Sequence, residues 1–182
     1  MKNLMRYGLV IRLVCGCLSA LLLVSVMSVK ARAMTGLSTF TTTSPYDAAR
    51  DNNMSVAASR INGYVLQPGQ SFSFSTTVLP RKTANGYVYA ETVLRNGKVV
   101  GGWGDGICQV STTLYLALLQ AGIPPTERHS HASPVTYVPV GMDASISTPA
   151  HKDFRFVNTK PFPIVIGAVV NNGSVTVNIA SL

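Results

Sequence analysis

The sequence predicts an α+β fold, a single domain in which two main helices pack on a mostly antiparallel sheet. Three observations lead there. Helical periodicity occurs in two places only, before Asn62-Gly63 and after Cys108. Short β-branched and aromatic runs fill most of the remainder, and two Asn-Gly pairs, Asn96-Gly97 and Asn172-Gly173, join neighbouring runs as hairpins. Helices and strands do not alternate, which excludes a parallel βαβ layout. A chain of 182 residues, 47% hydrophobic, can bury a core without staples, and Gly 15 and Pro 10 are too few for a disordered low-complexity chain.

Residues 1–33 read as a secretory signal: Lys2, Arg6 and Arg12 precede an apolar run from Leu13 to Val29, and Ala31-Arg32-Ala33 is a small-x-small cleavage pattern. Cleavage would leave a soluble protein starting at Met34; the alternative is an uncleaved membrane anchor, the only membrane contact expected. Both place the rest outside the cytoplasmic membrane. The formal net charge of +8 is inflated by this segment, which holds five of the basic residues and no acid. The rest is only weakly basic, so no nucleic-acid partner is expected.

Residues 34–45, Thr-rich and aperiodic, read as a polar lead-in to a domain over 46–182. Met54, Ala57, Ala58 and Ile61 share one helix face, predicting a helix over 47–61 with Asp51 as a cap. Ser71–Ser75 alternates as a strand, and Tyr87–Leu94 pairs with Lys98–Val100 across Asn96-Gly97. A glycine-rich passage, 101–106, leads into a second helix over 108–121, stopped by Gly122 and Pro124-Pro125. Strands are predicted at Val135–Val138, Ala144–Ser147, Phe154–Val157, Ile164–Val170 and Val175–Ile179.

Cys108 carries the strongest chemical signal. Cys15 and Cys17 belong to the leader, so Cys108 has no partner for an internal disulfide. On the second helix Val110, Leu114, Ala117, Leu118 and Ala121 form the core stripe, whereas Cys108 shares a face with Ser111, Thr112 and Tyr115. At a helix's first turn, free N–H groups and the dipole favour a thiolate and an oxyanion. A thiolate needs a base and the base an orienting group. His131 or His129 is the candidate base; Asp143 is the candidate orienter, with Asp105 as the alternative. Trp103, Gly104, Asp105, Gly106, Gln109, Ser111, Thr112, Tyr115 and Arg128 are the candidate substrate contacts. Two rival readings remain: a non-catalytic binding module with a groove around Trp103, Tyr87 and Tyr89, and a zinc site built from Cys108, His129, His131 and Asp143 or His151. The leading expectation has neither metal nor cofactor.

Pro68–Phe74, Gly106–Tyr115, Glu127–His131, Tyr137-Val138-Pro139 and Gly141–Ala144 together resemble the VanW-like family, over about residues 36–180. The resemblance implies an envelope protein of Gram-positive bacteria connected with glycopeptide resistance and peptidoglycan. It departs from the family pattern at Asp105, which interrupts the glycines before Ile107-Cys108, and at Val78-Leu79-Pro80-Arg81. Leu116–Pro124 and the order Cys108, His131 or His129, Asp143 are more loosely similar to transglutaminase-like and papain-like thiol enzymes. Together these imply a secreted thiol enzyme, a hydrolase or transpeptidase, acting on amide bonds of peptidoglycan or envelope peptides.

Overall fold

The computed structural model describes residues 34–93 and 96–182. The leader-like segment 1–33 and positions 94 and 95 lie outside the described residues, and with them the expectation of a cleaved signal or anchor. Among the described residues no helix is long and apolar enough to cross a membrane.

The first helix, α1 (Ala48–Ile61), is opened by Asp47, whose carboxylate accepts from the Arg50 N–H at 2.8 Å. This corrects the assignment of Asp51 as cap: both Asp51 oxygens instead accept from the Gly173 N–H. The predicted stripe of Met54, Ala57, Ala58 and Ile61 is buried. The second long helix, α3 (Ile107–Gln120), buries Val110, Leu114, Ala117 and Leu118 as periodicity requires. Between them lies a short helix, α2 (Phe74–Val78). Its presence shortens the predicted strand at 71–75, because Ser73 and Asp153 cap α2 by accepting from the Thr76 and Ser75 N–H groups.

The helices pack on a four-stranded antiparallel sheet of order β1-β9-β8-β2: β1 (Thr35–Thr43), β2 (Tyr64–Leu66), β8 (Ile164–Asn171) and β9 (Ser174–Ser181). The last two form the predicted hairpin through Asn172-Gly173. Residues 35–43 are thus part of the sheet rather than a lead-in. Their inward positions are Ser38, Phe40 and Thr42: Phe40 packs on the core, while Ser38 Oγ donates to the Ala117 carbonyl at 2.7 Å and Thr42 bonds Thr113 at 2.7 Å. With hydroxyls at two of these three positions, the apolar alternation that reveals a strand is interrupted.

A smaller sheet of order β3-β7-β6 joins β3 (Ser71–Ser73), β6 (Pro125–Glu127) and β7 (Arg155–Val157), while β4 (Tyr89–Val93) and β5 (Val99–Trp103) make the second hairpin. The strands predicted at 135–138 and 144–147 do not form, apart from one isolated bridge between Ser147 and Lys152. Residues 144–146 run beside α3 and bond its side chains: Ser111 Oγ donates to the Ala144 carbonyl (2.6 Å), and the Ala144 N–H donates to Thr112 Oγ1 (3.0 Å). Ala144 is satisfied by helix hydroxyls, the Ser145 N–H by the His129 carbonyl and the Ile146 N–H by the Cys108 sulfur, so no regular strand ladder is needed.

Candidate functional site

Gly106 precedes α3 with φ +110, and a Cβ there would sit 3.2 Å from both the Arg50 carbonyl and Met54 Cγ. Only glycine lets the chain turn this tightly against α1 and start a helix at once. Asn53, fully buried on α1, sets the approach: it donates to the Val88 and Asp105 carbonyls and accepts from the Val88 N–H. Cys108 therefore falls in the first turn of α3, half-buried. The Ile146 N–H donates to its Sγ at 3.4 Å.

Asp143, 5% exposed, lies just before the segment held along α3. Its Oδ2 accepts from the His131 N–H at 2.7 Å and bonds the same residue's ring Nδ1 at 2.5 Å. Backbone and ring of His131 are thereby fixed by one oxygen. The Cys108 thiol donates to the Ile146 carbonyl at 3.7 Å, and it borders the same small cavity as His131. With Nδ1 taken by Asp143, Nε2 is the ring nitrogen left for the sulfur.

Electrostatics follow from this packing. Burial alone would lower the His131 pKa, but the neighbouring Cys108 side chain, followed by the hydrogen bond and charge of Asp143, outweighs it and raises it from 6.5 to about 9. Burial would raise Asp143, and the His131 backbone and ring bonds win, holding it below the ordinary carboxylate value. The Tyr137 phenol borders the same cavity as the sulfur and is pushed well above 10, chiefly by burial.

The other sequence candidates divide cleanly. His129 is not brought to the sulfur: Nε2 bonds Glu127 Oε1 at 3.0 Å, because that carboxylate stands only two residues away. Gln109 is fully buried, accepting from Arg50 and donating to the Gly173 carbonyl, so it belongs to the scaffold. Its N–H donates to the Gly106 carbonyl at 2.9 Å, which removes one expected oxyanion donor. Ser111 and Thr112 are likewise fully buried. Tyr115 packs edge-on to Phe154 beneath the Arg128 guanidinium, 5.3 Å from its ring centre. Arg128 donates to the Gly141 and Asp143 carbonyls and so positions the carboxylate. His151 is exposed, and among the described residues no group of three or more His, Cys, Asp or Glu is arranged to hold a metal ion.

Two concavities meet here. A small cavity of about 80 Å³ is bordered by Cys108, His131, Tyr137, Asp105, Gly106 and Arg50, among others. An open groove of about 760 Å³ runs past Arg81, Lys82, Trp103, Thr148 and Pro149. Val100 and Asp105 border both. Gly104 supports the groove wall, since a Cβ there would meet the Arg81 stem at 2.7 Å. Sequence reasoning missed Arg50, although it lies one turn before Met54 on the apolar stripe, where a 7% exposed arginine is unexpected.

The fold and site define an α+β domain with a thiol at the head of its central helix and a carboxylate-held imidazole on the same small cavity. The model of the VanW-like protein family matches residues 49–180, and the chain belongs to that family. It is 39% identical over 133 residues to YoaR of Bacillus subtilis (strain 168), covering 73% of this chain and 43% of that one. It is 32% identical over 100 residues to the vancomycin B-type resistance protein VanW of Enterococcus faecalis (strain ATCC 700802 / V583), covering 52% and 36%. The chain thus spans less than half the length of both curated relatives. No solved structure matches it significantly.

Proposed function

We propose that the protein is an extracytoplasmic envelope protein whose domain is a thiol enzyme acting on amide bonds of peptidoglycan or envelope peptides. Cys108 is the nucleophile, His131 moves the proton and Asp143 holds the imidazole. The observation that carries this reading is the Asp143-held imidazole of His131 sharing one small cavity with Cys108, with the His131 pKa raised to about 9. An imidazole raised in this way holds a proton ready for a leaving nitrogen. Sulfur attack on a carbonyl gives a thioester; water then completes hydrolysis, or an amine completes transpeptidation. The groove beside it carries Arg81 and Lys82, suited to peptides rich in carboxylates. The envelope setting is supported by family membership and by the name of the Enterococcus relative.

A thiol-directed peptide-amide probe tests the proposal. Labelling is expected at Cys108 and should fall by at least about a hundredfold in Cys108→Ala. Unchanged labelling of that variant ends the reading.

One observation favours a binding role as the second reading. Tyr89 and Trp103 pair edge to face at 6.5 Å across β4–β5, and both are about half exposed. Such aromatic surfaces suit saccharide or peptide faces. Under this reading Trp103→Ala weakens binding of wall fragments about tenfold or more, roughly 1.4 kcal/mol, while Cys108→Ala leaves it unchanged. Equal binding by the Trp103 variant excludes it.

A further inference from the structure

The small cavity beside Cys108 has a wall that the protein itself leaves unsatisfied. Three side-chain atoms, Arg50 Nε, Thr92 Oγ1 and Asp105 Oδ2, are buried without a hydrogen-bond partner among the described residues. All three belong to residues bordering this one cavity. Buried polar atoms are nearly always paired, so three orphans around one void point to something that enters it.

Arg50 decides what. Its side chain makes no ion pair among the described residues. Nη1 donates to Ser44 Oγ and Nη2 to Gln109 Oε1, both uncharged acceptors. A guanidinium buried without an ion pair is costly, and an arriving anion removes that cost. Guanidinium geometry suits a carboxylate. The volume of about 80 Å³ limits the visitor: a water takes roughly 30 Å³, so a few waters or one small residue fit.

We infer that the cavity is a subsite for one glycine- or alanine-sized residue with a free carboxylate, the terminal residue of the peptide that Cys108 attacks. Arg50 receives the carboxylate. Thr92 Oγ1 can donate to its second oxygen, and Asp105 Oδ2, an acceptor only, takes the N–H, which sets the residue's direction. Its location next to the reacting sulfur rests on the proposed thiol chemistry; the carboxylate recognition does not. In the reaction, the sulfur bonds to the carbonyl carbon and the C–N bond breaks. His131 passes the thiol proton to the leaving nitrogen, releasing the terminal amino acid. Water then cleaves the thioester, restoring the thiol and leaving a shortened peptide carboxylate.

The test uses the full chain and two versions of one short peptide ending in alanine, one with a free carboxylate and one as the C-terminal amide. Calorimetry on the Cys108→Ala chain reads binding without turnover. The acid is expected to bind about tenfold or more tightly than the amide, and Arg50→Gln removes that preference. Because Arg50 also holds Ser44 and Gln109, Thr92→Val serves as a second variant that leaves those bonds intact; it should reduce the preference several-fold. Equal binding of acid and amide, or binding of neither, overturns the inference. Mass spectrometry of the unsubstituted protein separates the two levels. Cys108-dependent cleavage of acid and amide alike overturns the subsite and leaves the thiol chemistry standing. Acid-selective binding with no released alanine supports the subsite and overturns the thiol chemistry.

Discussion

Replacing Asp143 with Asn is expected to lower Cys108-dependent turnover by roughly four orders of magnitude, the cost seen when a triad carboxylate becomes an amide. Asp143 Oδ2 serves two donors of the same residue, the His131 N–H and ring Nδ1. An amide can still accept one of them, but its NH₂ group then faces Nδ1. Nδ1 must then give up its proton to accept from that group, so the doubly protonated imidazolium is no longer favoured and the ring loses its acid form. The shape of the side chain hardly changes, so thermal melting should stay near that of the parent while turnover collapses. A variant retaining a tenth or more of parent turnover excludes Asp143 as the orienting group.

The pH profile supplies a second readout of the same pair. Because His131 is raised from 6.5 to about 9, its imidazolium persists until pH approaches 9, and amide turnover, which needs that proton on the leaving nitrogen, should decline above it. In the Asp143 variant this alkaline limb moves to lower pH. The stability consequence has the same sign: the His131 contribution is complete below 6.5 and is lost as pH rises through about 9. Asp143, held below its ordinary 3.8, contributes above that value and loses its contribution as pH falls through the lowered one. A profile that stays flat beyond pH 10 in both proteins is incompatible with the paired state.

The largest loss of stability is expected at Gly173, in the β8–β9 turn. Its φ is +78, and a Cβ there would lie 2.3 Å from the Ser44 carbonyl oxygen, a backbone atom that cannot swing aside. The residue is also a junction: its N–H donates to Asp51, and its carbonyl accepts from the Ser44 N–H and from Gln109. Gly173→Val should destabilise by about 3–5 kcal/mol, adding steric conflict to left-handed strain. Gly69→Ala is the control: its φ of +77 imposes the same strain, but nothing lies within 4 Å of the added carbon. It should cost only about 1 kcal/mol. Equal melting points for the two variants would show that the close approach carries no energy.

Much of this molecule could be read from local pattern. The stripes of α1 and α3, the two Asn-Gly hairpins and the position of Cys108 at a helix head all follow from interactions within a few residues. The misreadings share one cause. β1 looked like a tail because Ser38 and Thr42 flank Phe40 on its buried face, and residues 144–146 looked like a strand although Ala144 bonds Ser111 and Thr112. In both places hydroxyl hydrogen bonds at α3 replace apolar contacts or backbone ladders that periodicity detects. Arg50 escaped notice because an arginine in an amphipathic pattern is ordinarily assigned to the solvent face.

The amino-acid order by itself determined the fold class, the helix that presents the thiol and the short set of residues able to serve it. Only the tertiary structure paired them: His131 with Asp143 beside the sulfur's cavity, His129 with Glu127, and Gln109, Ser111 and Thr112 buried in the scaffold. The reason is physical. Periodicity and capping act over one or two turns, whereas whether an imidazole meets a sulfur or a neighbouring Glu127 depends on how 128–146 is laid against α3, which is decided by hydrogen bonds between residues more than thirty positions apart.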